Sequence, residues 1–279
     1  MSPDWPTAAE WLSSGTGDPR GHDLVVAGVP IKDNAVTPSR YDLAPEAVRS
    51  VLERLSSFNG ELGIDLTELA VCDLGDDLVP PPLDSALTIL LGGHNGVTYE
   101  ALSRCEEISE WGLLTLDAHH DVRPYEAGRP TNGSPVRALV DAGLPGTQIV
   151  QIGISGFANA AAHRRWCEEN GLTIRGPREV AEMPLLLDAL AERCRYVYVD
   201  LDIDVLDRAF APGCPGSRPG GITPKELFDC AYYAGAHRSV RAVDLVEVDP
   251  DTDVASVTTF NTAVAMLDVA AGFRARLTA

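Results

Sequence analysis

Short apolar runs rich in Val, Ile and Leu alternate with helical patterns from one end of the chain to the other. Runs at 22–30, 69–74, 87–91, 112–116, 149–154, 172–174, 196–203 and 240–248 predict strands. Several are apolar at nearly every position, which suits parallel strands covered on both faces. Amphipathic stretches lie between them. Val48, Val51, Leu52 and Leu55 follow the i, i+3, i+4, i+7 spacing behind Pro45, a residue fitted to a first helical turn. Thr223-Pro224-Lys225-Glu226 supplies an N-cap, a proline at N1 and a capping-box glutamate ahead of Leu227 and Phe228. Residues 259–277 predict a long C-terminal helix. Strand–helix alternation without a break in composition predicts one α/β domain over 1–279 with a mainly parallel sheet, residues 1–21 forming a peripheral N-terminal segment. The loops 79–84 and 123–132, rich in Pro, Gly or charge, are candidates to border a site.

Composition narrows the function classes. The 279 residues suffice for one large α/β core. A formal net charge of -19 argues against a nucleic-acid partner, which would need a patch of Lys and Arg. No apolar stretch approaches the roughly 20 residues that span a bilayer, so no membrane partner is expected. The opening MSPDWPTAAEWL lacks the basic and apolar regions of a secretory signal. Six cysteines, at 72, 105, 167, 194, 214 and 230, are scattered without a CxxC pair. That pattern reads as reduced thiols in a cytoplasmic protein and speaks against a zinc–thiolate site.

The chemistry concentrates at two strand ends. Leu113-Leu-Thr-Leu-Asp-Ala-His-His-Asp121 begins as a buried strand and ends in polar residues spaced by two. In an extended chain Asp117, His119 and Asp121 share a side. Tyr196-Val-Tyr-Val-Asp-Leu-Asp-Ile-Asp204 repeats the arrangement with Asp200, Asp202 and Asp204. Carboxylates crowded at the end of a buried strand repel one another, and a divalent cation resolves that conflict. Oxygen ligands with one imidazole suit a borderline-hard ion such as Mn²⁺. In open α/β sheets, sites lie beyond the carboxyl ends of the strands, where both motifs fall. The alternative, loop aspartates that cap the following helices, suits one such motif better than two together.

Asp117-Ala-His-His-Asp121 resembles the DAHxD motif of the ureohydrolase family, which contains arginases, agmatinases, guanidinobutyrases and formimidoylglutamases. The stretch from Asp200 to Gly213, followed by Pro219-Gly-Gly221, resembles that family's SxDxDxxDPxxxPG…GG signature, and Asp244-Leu-Val-Glu-Val-Asp-Pro250 its late D-x-x-E-x-N-P segment. Val71-Cys-Asp-Leu-Gly-Asp76 and Gly28-Val-Pro30 match weaker landmarks. The resemblance implies a three-layer α/β/α, arginase-like fold around an eight-stranded parallel sheet, with two Mn²⁺ ions. It implies that Asp117 and Asp202 bridge the ions, that His119 and Asp204 complete one, and that Asp121 binds the other. It further implies that Asp121 acts in catalysis as a proton carrier and that Glu247 faces the cationic amidine or guanidine of a small-molecule substrate. Family members commonly form trimers or hexamers, so a homo-oligomer is expected.

Two departures from the pattern bear on the reading. Where the family has GGDHS, this chain has Gly92-Gly-His-Asn-Gly96, placing Asn95 in the position of the sixth metal ligand, with His94 as the alternative after a local shift. Asn132-Gly-Ser-Pro135 stands where arginases and agmatinases carry HGMP, and is closer to the SGTP of formimidoylglutamases. Asp117-Ala-His-His-Asp-Val-Arg123 is similar to the DAHFDLR of that same subfamily. Arg123, Asn132, Ser134 and Glu247 are accordingly the expected substrate contacts, with Arg123 suited to a carboxylate. His120 is expected to line the pocket or pack, and Cys214 to lie near it without acting as a nucleophile. The best single substrate is N-formimidoyl-L-glutamate, cleaved to L-glutamate and formamide. A guanidino-compound hydrolase releasing urea and a non-catalytic metal-binding relative are the alternatives. A single-zinc deacetylase would need a paired-histidine base that this chain lacks.

Overall fold

All eight predicted runs form strands, and the eight join one sheet. They are β1 (Leu24–Val29), β2 (Val71–Asp76), β3 (Leu87–Gly92), β4 (Trp111–Leu116), β5 (Ile149–Ile152), β6 (Thr173–Arg175), β7 (Tyr196–Asp202) and β8 (Val240–Val246). The computed structural model describes residues 5–126 and 128–278. Strand order is β2-β1-β3-β8-β7-β4-β5-β6, with every pairing parallel.

Helices cover both faces, as the near-continuous apolar strands require. In chain order they are α1 (Ala8–Leu12), α2 (Ala44–Val51), α3 (Gly96–Leu102), α4 (Pro135–Asp141), α5 (Ala161–Glu169), α6 (Met183–Ala191), α7 (Pro224–Ala236) and α8 (Val257–Thr278). Alternate side chains of a strand enter opposite cores. Val197, Val199 and Leu201 of β7 pack with residues of α1, α2, α6, α7 and α8, whereas Tyr198 joins those of α3, α4 and α5. Each fully buried Val or Leu contributes roughly 1.5–3 kcal/mol, so strands apolar on both sides are held firmly in the middle layer. The result is the three-layer α/β/α architecture.

The capping box read from sequence is present at α7. Thr223 Oγ1 accepts the Glu226 N–H at 3.3 Å, and Glu226 Oε2 accepts the Thr223 N–H at 2.7 Å. The predicted C-terminal helix is α8.

Three expectations need correction. Residues 1–21 are not wholly peripheral: α1 buries Trp11 and Leu12, and Trp11 Nε1 donates to the Leu69 carbonyl at 3.1 Å. The loop 79–84 lines a groove with Trp111 and Tyr196, which begin β4 and β7, so it sits by the amino ends of the strands and away from the acidic motifs. Strand β8 ends at Val246 rather than 248, because Glu247 turns left-handed at φ 70°. Among the described residues no helix is long and apolar enough to cross a membrane. All six cysteines are free thiols.

Candidate metal centre

The central strands β3, β8, β7 and β4 are neighbours in the sheet; the carboxyl ends of β4, β7 and β8 open into one cavity, and the end of β3 lies against it through Asn95. Asp117 follows β4, Asp202 ends β7, Glu247 follows β8, and Asn95 stands between β3 and α3. Residues up to 152 positions apart thus become neighbours at a topological switch point.

The two aspartate motifs do not present their candidate ligands by strand alternation. Beyond Leu116 the chain turns, with His119 N–H donating to Asp117 Oδ1 at 2.5 Å and Asp121 at φ 52°. Beyond Asp202 it coils into a short 3₁₀ turn, Ile203–Val205, with Asp204 N–H donating to Asp202 Oδ1 at 2.8 Å. In both motifs the first aspartate uses one oxygen to stabilise the turn that carries the next candidate ligand. The other oxygen of each is left to meet the Asn95 side chain.

Those remaining oxygens converge. Asp117 Oδ2, Asp121 Oδ2 and Asp202 Oδ2 lie 3.4, 2.9 and 3.3 Å from the Asn95 side-chain nitrogen. On the other side, one ligand atom each from Asp117, His119 and Asp204 lies within 4.8 Å of the other two. His119 Nδ1 is 2.6 Å from Asp204 Oδ2, and Asp204 Oδ1 accepts the Ala118 N–H at 2.9 Å. Asp117 belongs to both groups. The structure therefore brings together Asp117, His119, Asp121, Asp202, Asp204 and Asn95.

His94 is turned elsewhere. Its Nε2 contacts the Asp33 carbonyl at 2.8 Å, its Nδ1 accepts the Gly96 N–H at 3.0 Å, and Tyr41 meets the ring edge-on. It braces the loop after β1. His120 is likewise buried away from the cavity, with Nδ1 2.7 Å from Gln151 Oε1.

Burial and mutual repulsion work together on these carboxyls. Burial first, then Asp204, lifts Asp117 to about 7. Asp121 and Asp202 are pushed well above the ordinary carboxylate range, again chiefly by burial, with Asp117 and Asp204 respectively adding to it. Burial opposes charge on Asp204 too, but the adjoining His119 outweighs it and holds the carboxyl low. His119 shows the converse: burial would lower it, whereas Asp204 and Asp117 raise it to about 12. With one imidazole among four buried aspartates, three of the carboxyls lack a positive partner and hold their protons more tightly; divalent cations would supply the missing charge. The donor set, oxygen-rich with one imidazole and no thiolate, fits Mn²⁺. Cys214 is fully buried and its thiol is pushed well above its usual range, chiefly by that burial, so it offers neither a ligand nor a nucleophile.

Glu247 stands over the cluster at 4% exposure. Its Oε1 accepts the Asn95 backbone N–H at 2.8 Å and Asn132 Nδ2–H at 2.9 Å, and its own N–H donates to the Gly93 carbonyl at 2.9 Å. Both Glu247 and Asp121 adopt left-handed conformations, which are unfavourable for residues other than glycine and mark backbone strain at this site. Gly93 lets the loop after β1 approach, since a Cβ there would run into the Ile31 backbone.

The cavity wall includes residues that the sequence reading missed. Val36, Thr37 and Tyr41 line it from the loop after β1, tied to the site by the Val36 N–H donating to Asn132 Oδ1 at 2.7 Å. Pro215, Gly216 and Arg218 line it from the loop after β7. The only available signal was position, because both loops leave the carboxyl ends of strands. Arg218 Nη1 donates to the carbonyls of Pro215, Gly216 and Ser217 at 3.3, 2.7 and 3.0 Å, which fixes the guanidinium on its own loop. Arg123 lines the facing part of the wall; its N–H donates to the Gly133 carbonyl at 2.9 Å, and its side chain packs against Gly133. Arg123 and Arg218 are the cavity's only guanidinium groups, and among the described residues neither forms an ion pair with a carboxylate. Ser134, an expected substrate contact, does not line the cavity. It is fully buried, and its hydroxyl accepts the Thr131 N–H at 2.7 Å and donates to the Thr131 carbonyl at 3.1 Å, closing the turn that leads into α4.

Known proteins resemble this chain in sequence and fold. A sequence model of the arginase family matches residues 22–272. Formimidoylglutamase of Halalkalibacterium halodurans is 33% identical over 258 residues, covering 83% of this chain and 81% of that protein. Agmatinase of Bacillus subtilis is 28% identical over 251 residues, covering 83% and 85%. The crystal structure of formimidoylglutamase from Bacillus subtilis superimposes with a TM-score of 0.88 at 26% identity, covering 98% of this chain and 94% of that one.

Proposed function

The chain belongs to the arginase family, enzymes that hydrolyse carbon–nitrogen bonds of linear amidines, and within it we propose that this protein cleaves N-formimidoyl-L-glutamate to L-glutamate and formamide. The observation that carries the reading is the polarity of the cavity: acidic at its floor, with two guanidinium groups free of carboxylate partners on its wall. A substrate with a cationic amidine at one end and carboxylates at the other matches that polarity. Agmatine, whose far end is an ammonium, would place a cation against arginines. The greater identity to a formimidoylglutamase than to an agmatinase supports the same choice.

Two Mn²⁺ ions held by Asp117, His119, Asp121, Asp202, Asp204 and Asn95 would supply Lewis acidity and a water made nucleophilic near neutral pH. The chain's own groups do the rest. Glu247, aimed by Asn95 and Asn132, holds the amidine cation. Arg123 and Arg218 take the carboxylates, which orients the amidine carbon toward the floor. Asp121 accepts the proton of the attacking water and returns it to the leaving α-nitrogen. The tetrahedral carbon then collapses, releasing formamide and glutamate.

The test is a panel of N-formimidoyl-L-glutamate, 4-guanidinobutyrate and agmatine with added Mn²⁺, scored for formamide, urea and amine. Formamide and glutamate from the first, with little urea from the others, is the expected result. Urea from a guanidino compound with no cleavage of formimidoylglutamate overturns the substrate assignment.

A further inference from the structure

Behind Asn95 lies a buried chain of hydrogen bonds that reaches the next strand. Thr98, in the first turn of α3 and 1% exposed, places its hydroxyl 2.9 Å from Asn95 Oδ1 and 2.8 Å from Asp244 Oδ2. Tyr198 O–H donates to the same Asp244 oxygen at 2.7 Å. Asp244 Oδ1 has no partner among the described residues. A hydroxyl carries a single proton, so Thr98 cannot donate to the amide oxygen and to the carboxylate together. A carboxylate is the stronger acceptor, and leaving it short of a donor inside the protein is the costlier choice.

The amide resolves the conflict. A half-turn about its last bond exchanges oxygen and nitrogen and leaves every neighbouring atom in place. Asn95 Nδ2–H then donates to Thr98 Oγ1, Thr98 donates to Asp244, and Asn95 Oδ1 faces Asp117, Asp121 and Asp202. An oxygen facing three carboxylates is repelled, unless a cation lies between them. In the orientation seen here the Asn95 N–H groups meet those carboxylates at 2.9–3.4 Å, and the amide oxygen competes with Asp244 for the single Thr98 proton. Thr98 and the cation therefore favour the same orientation of the amide.

We propose that Thr98 is a positioning residue for metal binding: its hydroxyl, held by Asp244, accepts the Asn95 amide N–H and turns the Asn95 carbonyl oxygen toward the ion shared with Asp117, Asp121 and Asp202. An amide oxygen is a weaker Mn²⁺ ligand than imidazole, so its pre-orientation matters more here than at a histidine. The inference rests on the two-ion reading above.

Titration of the metal-stripped full chain with Mn²⁺ alone, followed by electron paramagnetic resonance of the free ion, tests it without any substrate. Wild type is expected to bind two ions. Thr98→Val should weaken one of them about 10-fold or more and leave the other unchanged, while Thr98→Ser stays within about threefold of wild type. In an Asn95→Ala background, Thr98→Val should add nothing further. Thr98→Ala replaces the valine variant if that fails to fold. Two ions bound as in wild type by the valine variant overturn the inference, as does an undiminished Thr98→Val effect in the Asn95→Ala background. A wild-type chain that binds one ion overturns it while leaving hydrolysis standing, and one that binds none removes the two-ion reading itself.

Discussion

Gly133 shows how one missing side chain shapes the cavity. A Cβ at this position would come within 2.6 Å of Arg123 Cδ and 3.0 Å of its Nε, so the absence of one lets the arginine lie along the wall. Gly133→Ala is expected to displace the guanidinium and raise KM for the carboxylate-bearing substrate about 10-fold, with kcat changed much less. Arg123→Met should raise it about 10- to 100-fold, the range for a lost charge-assisted hydrogen bond. Steady-state kinetics on both variants check the assignment; unchanged KM in Arg123→Met would move the carboxylate to another group. Glu247 is a different case, because the proposed reading sets it against the amidine. Glu247→Gln keeps the shape and removes the charge, and kcat/KM should fall by a factor on the order of 10²–10³.

Elements place these residues, and their ends matter more than their interiors. The strands β4, β7 and β8 stop where a candidate ligand or Glu247 turns inward; hydrogen bonds to Asp117 and Asp202 close the first two turns, and the Gly93 carbonyl holds the third. A separate prediction concerns α8. Burial, reinforced by Asp229 and Glu61, lifts Asp268 to about 6, while Asn59 donates to its Oδ1 at 3.2 Å. A carboxyl whose folded pKa lies above its unfolded value near 4 holds its proton more tightly when folded. Its ionisation thus lowers stability as pH rises from about 4 to about 6, and the full penalty applies above that. Asp268→Asn should therefore stabilise the protein at pH 7 by on the order of 1 kcal/mol, discounted for solvent screening, or roughly 2 °C in Tm. The gain should vanish as pH falls to about 4. Thermal unfolding of both proteins across that interval measures the difference; a gain that persists at pH 4 would trace it to something other than this ionisation.

At the scale of the whole molecule, the net charge of -19 opposes the arrival of an anion even though the cavity wall is locally cationic. N-Formimidoyl-L-glutamate carries one net negative charge and agmatine is a dication. Raising ionic strength from about 10 to about 150 mM shortens the screening length from about 30 to about 8 Å. KM for formimidoylglutamate is then expected to fall a few-fold, and KM for any dicationic substrate to rise. A KM for formimidoylglutamate that climbs with salt would show that the two arginines, rather than the overall field, govern its capture.

Much of this was legible in the chain. The eight strands follow from apolar runs, because burial between two helical layers demands side chains apolar on both faces. That Asp117, His119, Asp121, Asp202 and Asp204 would cluster was legible because each motif is contiguous and ends a strand. The way those ligands are aimed was not. Extended periodicity suggested a shared side, whereas Asx-type turns and the left-handed Asp121 present them. Sequence position also favoured Ser134 as a substrate contact, yet its hydroxyl is consumed by Thr131. Asn95 and His94 are adjacent and similar in promise; contacts with Asp33 and Tyr41 turn the histidine outward, while carboxylates from β4 and β7 surround the asparagine. Arg218, Tyr41 and the Asn132–Glu247 contact join segments more than 100 positions apart or loops without a motif. Local spacing carries the identity of the candidate ligands because turns and strand ends are local. Their orientation and the cavity's polarity were decided only in the folded chain, where parallel strands bring distant loops to one end of the sheet.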